Sequence, residues 1–224
     1  MAQLSDTDTS EETPVVDELR DEVVAKLRSD IGDAVIDVHQ IPGVDLWVRV
    51  SADAWRAAGE ALRAQGFDYF CFLSAMDWMP SPFGTGENDP TDEVEEDPSA
   101  SEVRQGYAGG DTRFQMLARV TDLRRHVSIT LKADVPEAAD GSMSIDSWIT
   151  VYAGANWHER ETHEMFGINF AGHPDLRNMY LPGDFEGYPL RKDFPLLARL
   201  VKPWPGIVDV EPMPASDGDE GDDS

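Results

Sequence analysis

Cysteine is almost missing from this sequence: Cys71 is the one thiol in 224 residues. A single thiol excludes a disulfide framework, and it excludes an iron–sulfur cluster, which needs about four thiolates. Its neighbours Tyr69, Phe70, Phe72 and Leu73 mark it as a small buried hydrophobe rather than a nucleophile. Long apolar runs are also missing. No stretch approaches the roughly 20 residues of a membrane-spanning helix, and the first residues lack the basic and apolar regions of a secretory signal. These absences predict a soluble chain in a reducing compartment, with no direct membrane insertion. The nucleophile elbow G-x-S-x-G does not occur. Gly84-Thr85-Gly86 is too short for a dinucleotide fingerprint and does not sit between a strand and a helix.

Positive charge is missing from three stretches. Residues 1–12, 80–103 and 209–224 hold four, eight and seven acids and no Lys or Arg. The formal net charge is −26. Outside those stretches 25 acids face 18 bases, a net of −7. The acidity is therefore concentrated in two tails and one insertion, which keep a protein soluble. An acidic surface argues against nucleic acid as a partner, because phosphate contacts need Lys and Arg.

Hydrophobic periodicity supplies the elements. Leu19, Val23 and Leu27 predict a helix over Val15–Arg28 that ends at Gly32. Ala34–Val38 and Val44–Val50 alternate around Pro42-Gly43 and read as a β-hairpin. Asp53 is placed to cap a helix reaching Gln65, with Trp55, Ala58 and Leu62 inward. Tyr69–Met76 is continuously apolar and predicts a central strand buried on both faces. Strands over Thr112–Val120 and His126–Leu131 follow, then helical turns over Ile145–Val151. The order α-ββ-α-βββ predicts an α+β fold: a two-layer, mixed sheet of about five strands with helices on one face. A short helix and an extended irregular strap complete it. The organisation expected is an acidic tail over 1–13 and a domain over 14–200, with the acidic insertion 79–110 and the strap 167–200. An extended arm and acidic tail occupy 201–224.

The information-dense stretch is His158–Leu196. Asn156 is expected to cap a helix Trp157–Phe166, stopped by Gly167. Trp157, Glu161 and Met165 are four apart, so Glu161 is expected on an apolar stripe, paired with Arg160, Arg177, Arg191 or Lys192. His158, Glu159 and His163 suggest a metal-dependent hydrolase. The histidines, however, are five apart, about 140° around a helix, where the zincin pair is about 40° apart. His173 could join them only by folding back. Beyond Gly167 the chain is broken repeatedly by Gly and Pro, yet Phe170, Leu176, Met179, Tyr180, Leu181, Phe185, Tyr188, Leu190 and Phe194 are too apolar for a solvated loop. Such a strap must lie on a surface, its own or a partner's.

The run Trp157–Ile168, then Gly172–Arg177, then Pro189–Pro195 resembles the thirty-kilodalton subunit family of the proton-pumping NADH:quinone oxidoreductase, respiratory complex I. The family pattern E-R-E-x-x-[DE], two apolar residues, x6, H-x3-R falls on Glu159, Arg160, Glu161, Glu164, Met165, Phe166, His173 and Arg177. A second block falls on Leu190, Arg191, Lys192, Asp193, Phe194 and Pro195. Asn178 and Tyr188 depart from it, standing where the family commonly has Arg and His. The resemblance implies a peripheral-arm subunit on the cytoplasmic face of the membrane. It implies no cofactor in this chain, with FMN, iron–sulfur clusters and quinone in partner subunits, and packing against subunits D and B. A hydrogenase-type membrane complex is the alternative setting for the same kind of subunit.

Overall fold

The computed structural model describes residues 17–80 and 105–194. The two tails, most of the acidic insertion and Pro195 lie outside them. Helix α1 is Glu18–Ile31, capped by the Asp17 carboxylate, which accepts from the Arg20 amide at 3.1 Å. It begins and ends about three residues later than periodicity places it. Strands β1 (Val35–Ile41) and β2 (Asp45–Val50) form the expected antiparallel hairpin. Helix α2 is Trp55–Ala64. Asp53 does not cap it. That residue lies in a 3-10 turn, Ala52–Ala54, and no side chain bonds the first turn.

Strands β3 (Tyr69–Asp77), β4 (Phe114–Asp122) and β5 (Val127–Val135) complete a five-stranded sheet in the order β1-β2-β5-β4-β3. All neighbours are antiparallel except β2 and β5, which run parallel. The mixed α+β architecture is as expected, but β3 is an edge strand, not a central one. Its apolar run has two separate causes. Leu73 and Ala75 point into the core, while Phe70 packs against Tyr152 and His158 beside the helix that covers this edge.

Alternation decides which face is which. Leu46, Val48 and Val50, Phe114, Met116 and Ala118, and Ile129, Leu131 and Ala133 join Val23, Leu27, Trp55 and Leu62 of α1 and α2 in one core. Trp148 stacks on Trp55 with centroids 4.7 Å apart. A Cβ on Gly59 would lie 2.7 Å from that indole, so α2 can approach it only with glycine there. The opposite face is polar: Arg49 reaches Asp111 and Asp134, Arg119 reaches Asp45, and Lys132 donates to the Tyr107 carbonyl at 2.9 Å. Burial lowers the Lys132 ammonium to a pKa of about 8.

Residues 145–151 are not helical. β6 (Met143–Asp146) pairs in parallel with β7 (Ile168–Ala171), leading from one flank of helix α3 (Ala155–Phe166) to the other. Among the described residues no helix is long and apolar enough to cross a membrane.

Candidate functional site

Helix α3 carries the dense motif, and its phase differs from the expected one. The inward residues are Ala155, Glu159, Thr162 and Phe166, with Glu164 sealed beneath the strap. Trp157 is 69% exposed and Glu161 is half-buried. Glu161 makes no ion pair among the described residues. The helix starts after Gly154 rather than at an Asn156 cap, so a stripe built on Trp157 runs along the wrong side. Gly167 ends the helix as expected, in the left-handed region at φ 77°.

The buried carboxylates are Glu159 and Glu164. Glu159 is fully enclosed and accepts from Ser147 Oγ at 2.6 Å and the Trp148 amide at 2.5 Å. Burial pushes its pKa up to about 7, against the pull of those two bonds. Glu164 is 4% exposed and accepts the amides of Met179 at 3.0 Å, Tyr180 at 3.1 Å and Leu181 at 2.5 Å. Burial would raise its pKa, but the three amides outweigh it and hold the group below the usual carboxylate range. Three successive amides around one carboxylate form an anion nest.

Other side chains bind the strap through its backbone. Arg160 Nε donates to the Arg177 carbonyl at 2.9 Å and Nη2 to that of Asn178 at 3.3 Å. Arg191 Nε donates to the Phe166 carbonyl at 2.7 Å, satisfying the helix end, and its guanidinium lies 4.3 Å from the Tyr188 ring centroid. A Cβ on Gly167 would lie 2.6 Å from both Tyr188 and Arg191, so this crossing requires glycine. The Leu190 amide donates to the Met165 carbonyl at 3.2 Å. Farther along, Asp77 is nearly sealed and takes the Lys192 amide at 2.8 Å and Arg113 Nη2 at 2.7 Å. Arg113 also bridges to Asp193 at 2.9 Å. The Phe194 ring stacks on Phe185 at 6.0 Å.

The motif residues therefore divide. Glu159, Arg160, Glu164, Met165, Phe166, Leu190 and Arg191 join helix to strap or helix to core, Lys192 and Asp193 join the strap to Asp77 and Arg113, and Phe194 packs within the strap on Phe185. Arg177 is exposed and, among the described residues, pairs only with the exposed Asp175 at 3.2 Å. His173 accepts the Asp175 amide at 3.1 Å, a local turn. His158 and His163 turn to different backbone carbonyls, Leu73 at 3.2 Å and Ile168 at 3.0 Å. That separation contradicts a shared metal with Glu159. Among the described residues no group of three His, Cys, Asp or Glu is placed to hold an ion. Sequence reasoning missed Asp77, Arg113 and Ser147. Asp77 had a signal: it continues the period-2 series of Leu73 and Ala75 and so points inward.

The family model for the respiratory-chain NADH dehydrogenase 30 Kd subunit matches residues 48–199. The chain belongs to this 30 kDa subunit family. The match runs from within β2 along the strap to residue 199, so the clamped helix and both motif blocks lie inside it. The C subunit of NADH-quinone oxidoreductase from Methylobacterium sp. (strain 4-46) is 46% identical over 90 residues, 40% of each chain. Its counterpart of the same name from Roseiflexus sp. (strain RS-1) is 43% identical over 95 residues, 42% of this chain and 53% of that one. The chain thus spans about half or less of the length of the curated relatives it matches. A chain of the membrane-bound sulfane sulfur reductase, an archaeal respiratory membrane complex, superposes with a TM-score of 0.58 at 19% identity. The superposition covers 80% of this chain and 86% of that one, a likeness of fold alone.

Proposed function

We propose that this 30 kDa-family chain is a structural subunit of a membrane-bound NADH:quinone oxidoreductase. It supports electron transfer from NADH through FMN and iron–sulfur clusters to quinone, coupled to proton translocation. In this reading the chain binds no cofactor and carries no catalytic residue. It sits in the peripheral arm on the cytoplasmic face and packs on the quinone-module subunits D and B.

One observation carries the proposal. Strap residue Arg191 reaches back to the Phe166 carbonyl and Arg113 holds Asp77 and Asp193, while buried Glu164 and Asp77, with Arg160, bind the strap through its main chain. Its side chains are therefore left for display: Tyr180 and Leu190 are 60% and 52% exposed, and Phe185 and Tyr188 stand beside them. A rigid row of aromatic and aliphatic anchors on a pre-ordered segment is the composition of an interface core. Ordering the strap within the subunit also lowers the entropy lost on docking.

Paired Glu164→Gln and Arg160→Ala substitutions test this. Native-gel quantification of membranes is expected to show several-fold less assembled complex, with NADH:quinone reductase activity falling in step. Full assembly at undiminished activity overturns the proposal. A second reading, the equivalent subunit of a hydrogenase-type or related membrane complex, draws on the fold shared with the archaeal assembly. Co-purification of an NADH-oxidising flavoprotein eliminates it.

A further inference from the structure

Beside the clamped strap lies a hollow of about 560 Å³ that the strap-docking account leaves unused. It is lined by Ala153, Trp157 and His158 at the start of α3, by Arg160, and by Asp175 and Arg177 where the strap begins. Its lining carries more positive than negative charge. The chain carries a net −26, yet here two guanidiniums face one carboxylate, that of Asp175. Both members of the Arg177–Asp175 pair are exposed, at 73% and 57% of their side chains. An exposed pair of this kind is worth little and is exchanged readily for a better partner. Arg160 commits Nε and one Nη to strap carbonyls, which fixes its guanidinium in place and leaves Nη1 without a partner among the described residues. Trp157 presents a large flat ring to solvent at the same rim.

We propose that this hollow receives a carboxylate-bearing segment of a neighbouring subunit, with Trp157 packing against the segment's backbone or an apolar side chain. The inference rests on the docking role proposed above and names the chemistry of one contact. A fixed arginine, an exposed arginine and an exposed tryptophan are the residue types that dominate binding energy when an interface closes over them. Planar guanidiniums match a carboxylate with paired hydrogen bonds. A phosphate polymer or an anionic bilayer would meet the whole chain's negative charge, whereas a short peptide meets only the local positive hollow. The hollow is also continuous with the strap, because Arg160 belongs to both.

The test uses the assembled complex in its native membrane. A photoreactive p-benzoylphenylalanine replaces Trp157 in one strain, Ala153 in a second and Tyr180 of the strap in a third. Cross-linked peptides are identified by mass spectrometry. The 157 and 153 probes are expected to capture one segment of another subunit, with an Asp or Glu within about three residues of the cross-link. Arg177→Glu is expected to lower recovery of intact complex about five-fold at moderate salt, and reversing the captured acid to Arg is expected to restore it. Capture of lipid, nucleic acid or an acid-free segment by both hollow probes overturns the inference. Wild-type recovery of Arg177→Glu over the whole salt range does so as well. The Tyr180 probe separates the two levels. If it captures another subunit while the hollow probes do not, the docking role stands and this contact falls. If none of the three captures a subunit, both fall.

Discussion

Glu159 and Glu164 share one short helix and are both nearly sealed from water, yet they live in opposite regimes. Glu159 faces the core turn at Ser147 and Trp148, where two donors do not offset the loss of hydration and its pKa rises to about 7. Glu164 faces the strap, where three amides more than compensate burial and hold it ionised. What decides protonation is therefore the number and charge-matching of donors rather than depth. One side of α3 packs on the apolar core. The other holds the strap through hydrogen bonds between its backbone and the side chains of Arg160 and Glu164.

The two sides can be broken separately. The largest effect is expected from Trp148→Ala, which removes a fully buried ring stacked on Trp55 and should cost about 3–5 kcal/mol in thermal or urea unfolding. Next comes Arg113→Ala, which leaves Asp77 buried with amide donors alone. Because Arg113 is about a third exposed, a loss of about 2 kcal/mol is expected, together with faster protease cleavage near residues 190–194. Glu164→Gln should cost about 1–2 kcal/mol globally, while hydrogen exchange at the 179–181 amides accelerates far more than at β4 or β5. If exchange rises equally everywhere, the strap is no separate unit.

The two carboxylates also set opposite pH slopes. A folded pKa raised from 4.5 to about 7 means Glu159 contributes most to stability at low pH, and that contribution fades as pH rises from about 4.5 through 7. The lowered Glu164 works in reverse: its contribution is present above the ordinary carboxylate range and is lost on acidification. Unfolding midpoints at pH 5.5 and 8 should converge in Glu159→Gln relative to the parent. The smallest change is expected from Glu161→Gln, within about 0.5 kcal/mol; a larger loss would return the apolar stripe to Glu161.

Much of the sheet is legible in the sequence because its code is local. Alternation over residues 45–50 places β2, the strand read over His126–Leu131 gives the first part of β5, which runs on to Val135, and Gly167 marks the helix end. What is not legible depends on distant pieces. The segment at 145 is a strand only because β7 lies beside it, and no local period encodes that pairing. β3 reads as central because an apolar run does not say whether a second strand or a helix covers its flank. The site differs in phase: a tryptophan four residues before an acid suggests an inward stripe, and Trp157 faces outward. The motif residues themselves are visible in the sequence. The carboxylate that matters beneath the strap is Glu164 rather than Glu161, because only the folded strap brings its amides there.

At the neck between β3 and β4, the Trp78 amide donates to the Arg113 carbonyl at 2.9 Å while Arg113 grips Asp77. That fastening fixes both ends of the acidic insertion whatever its length. Lengthening a loop with pinned ends costs about 0.6 kcal/mol per doubling, a slope shallow enough for drift. A change of length between residues 81 and 104 is therefore expected to cost little, provided Asp77, Arg113 and the Tyr107 carbonyl that holds Lys132 stay. Since the same pair anchors Lys192 and Asp193, a substitution that loosens the neck reaches the strap too. The acidic insertion and the end of the strap are thus fastened to the same Asp77–Arg113 pair.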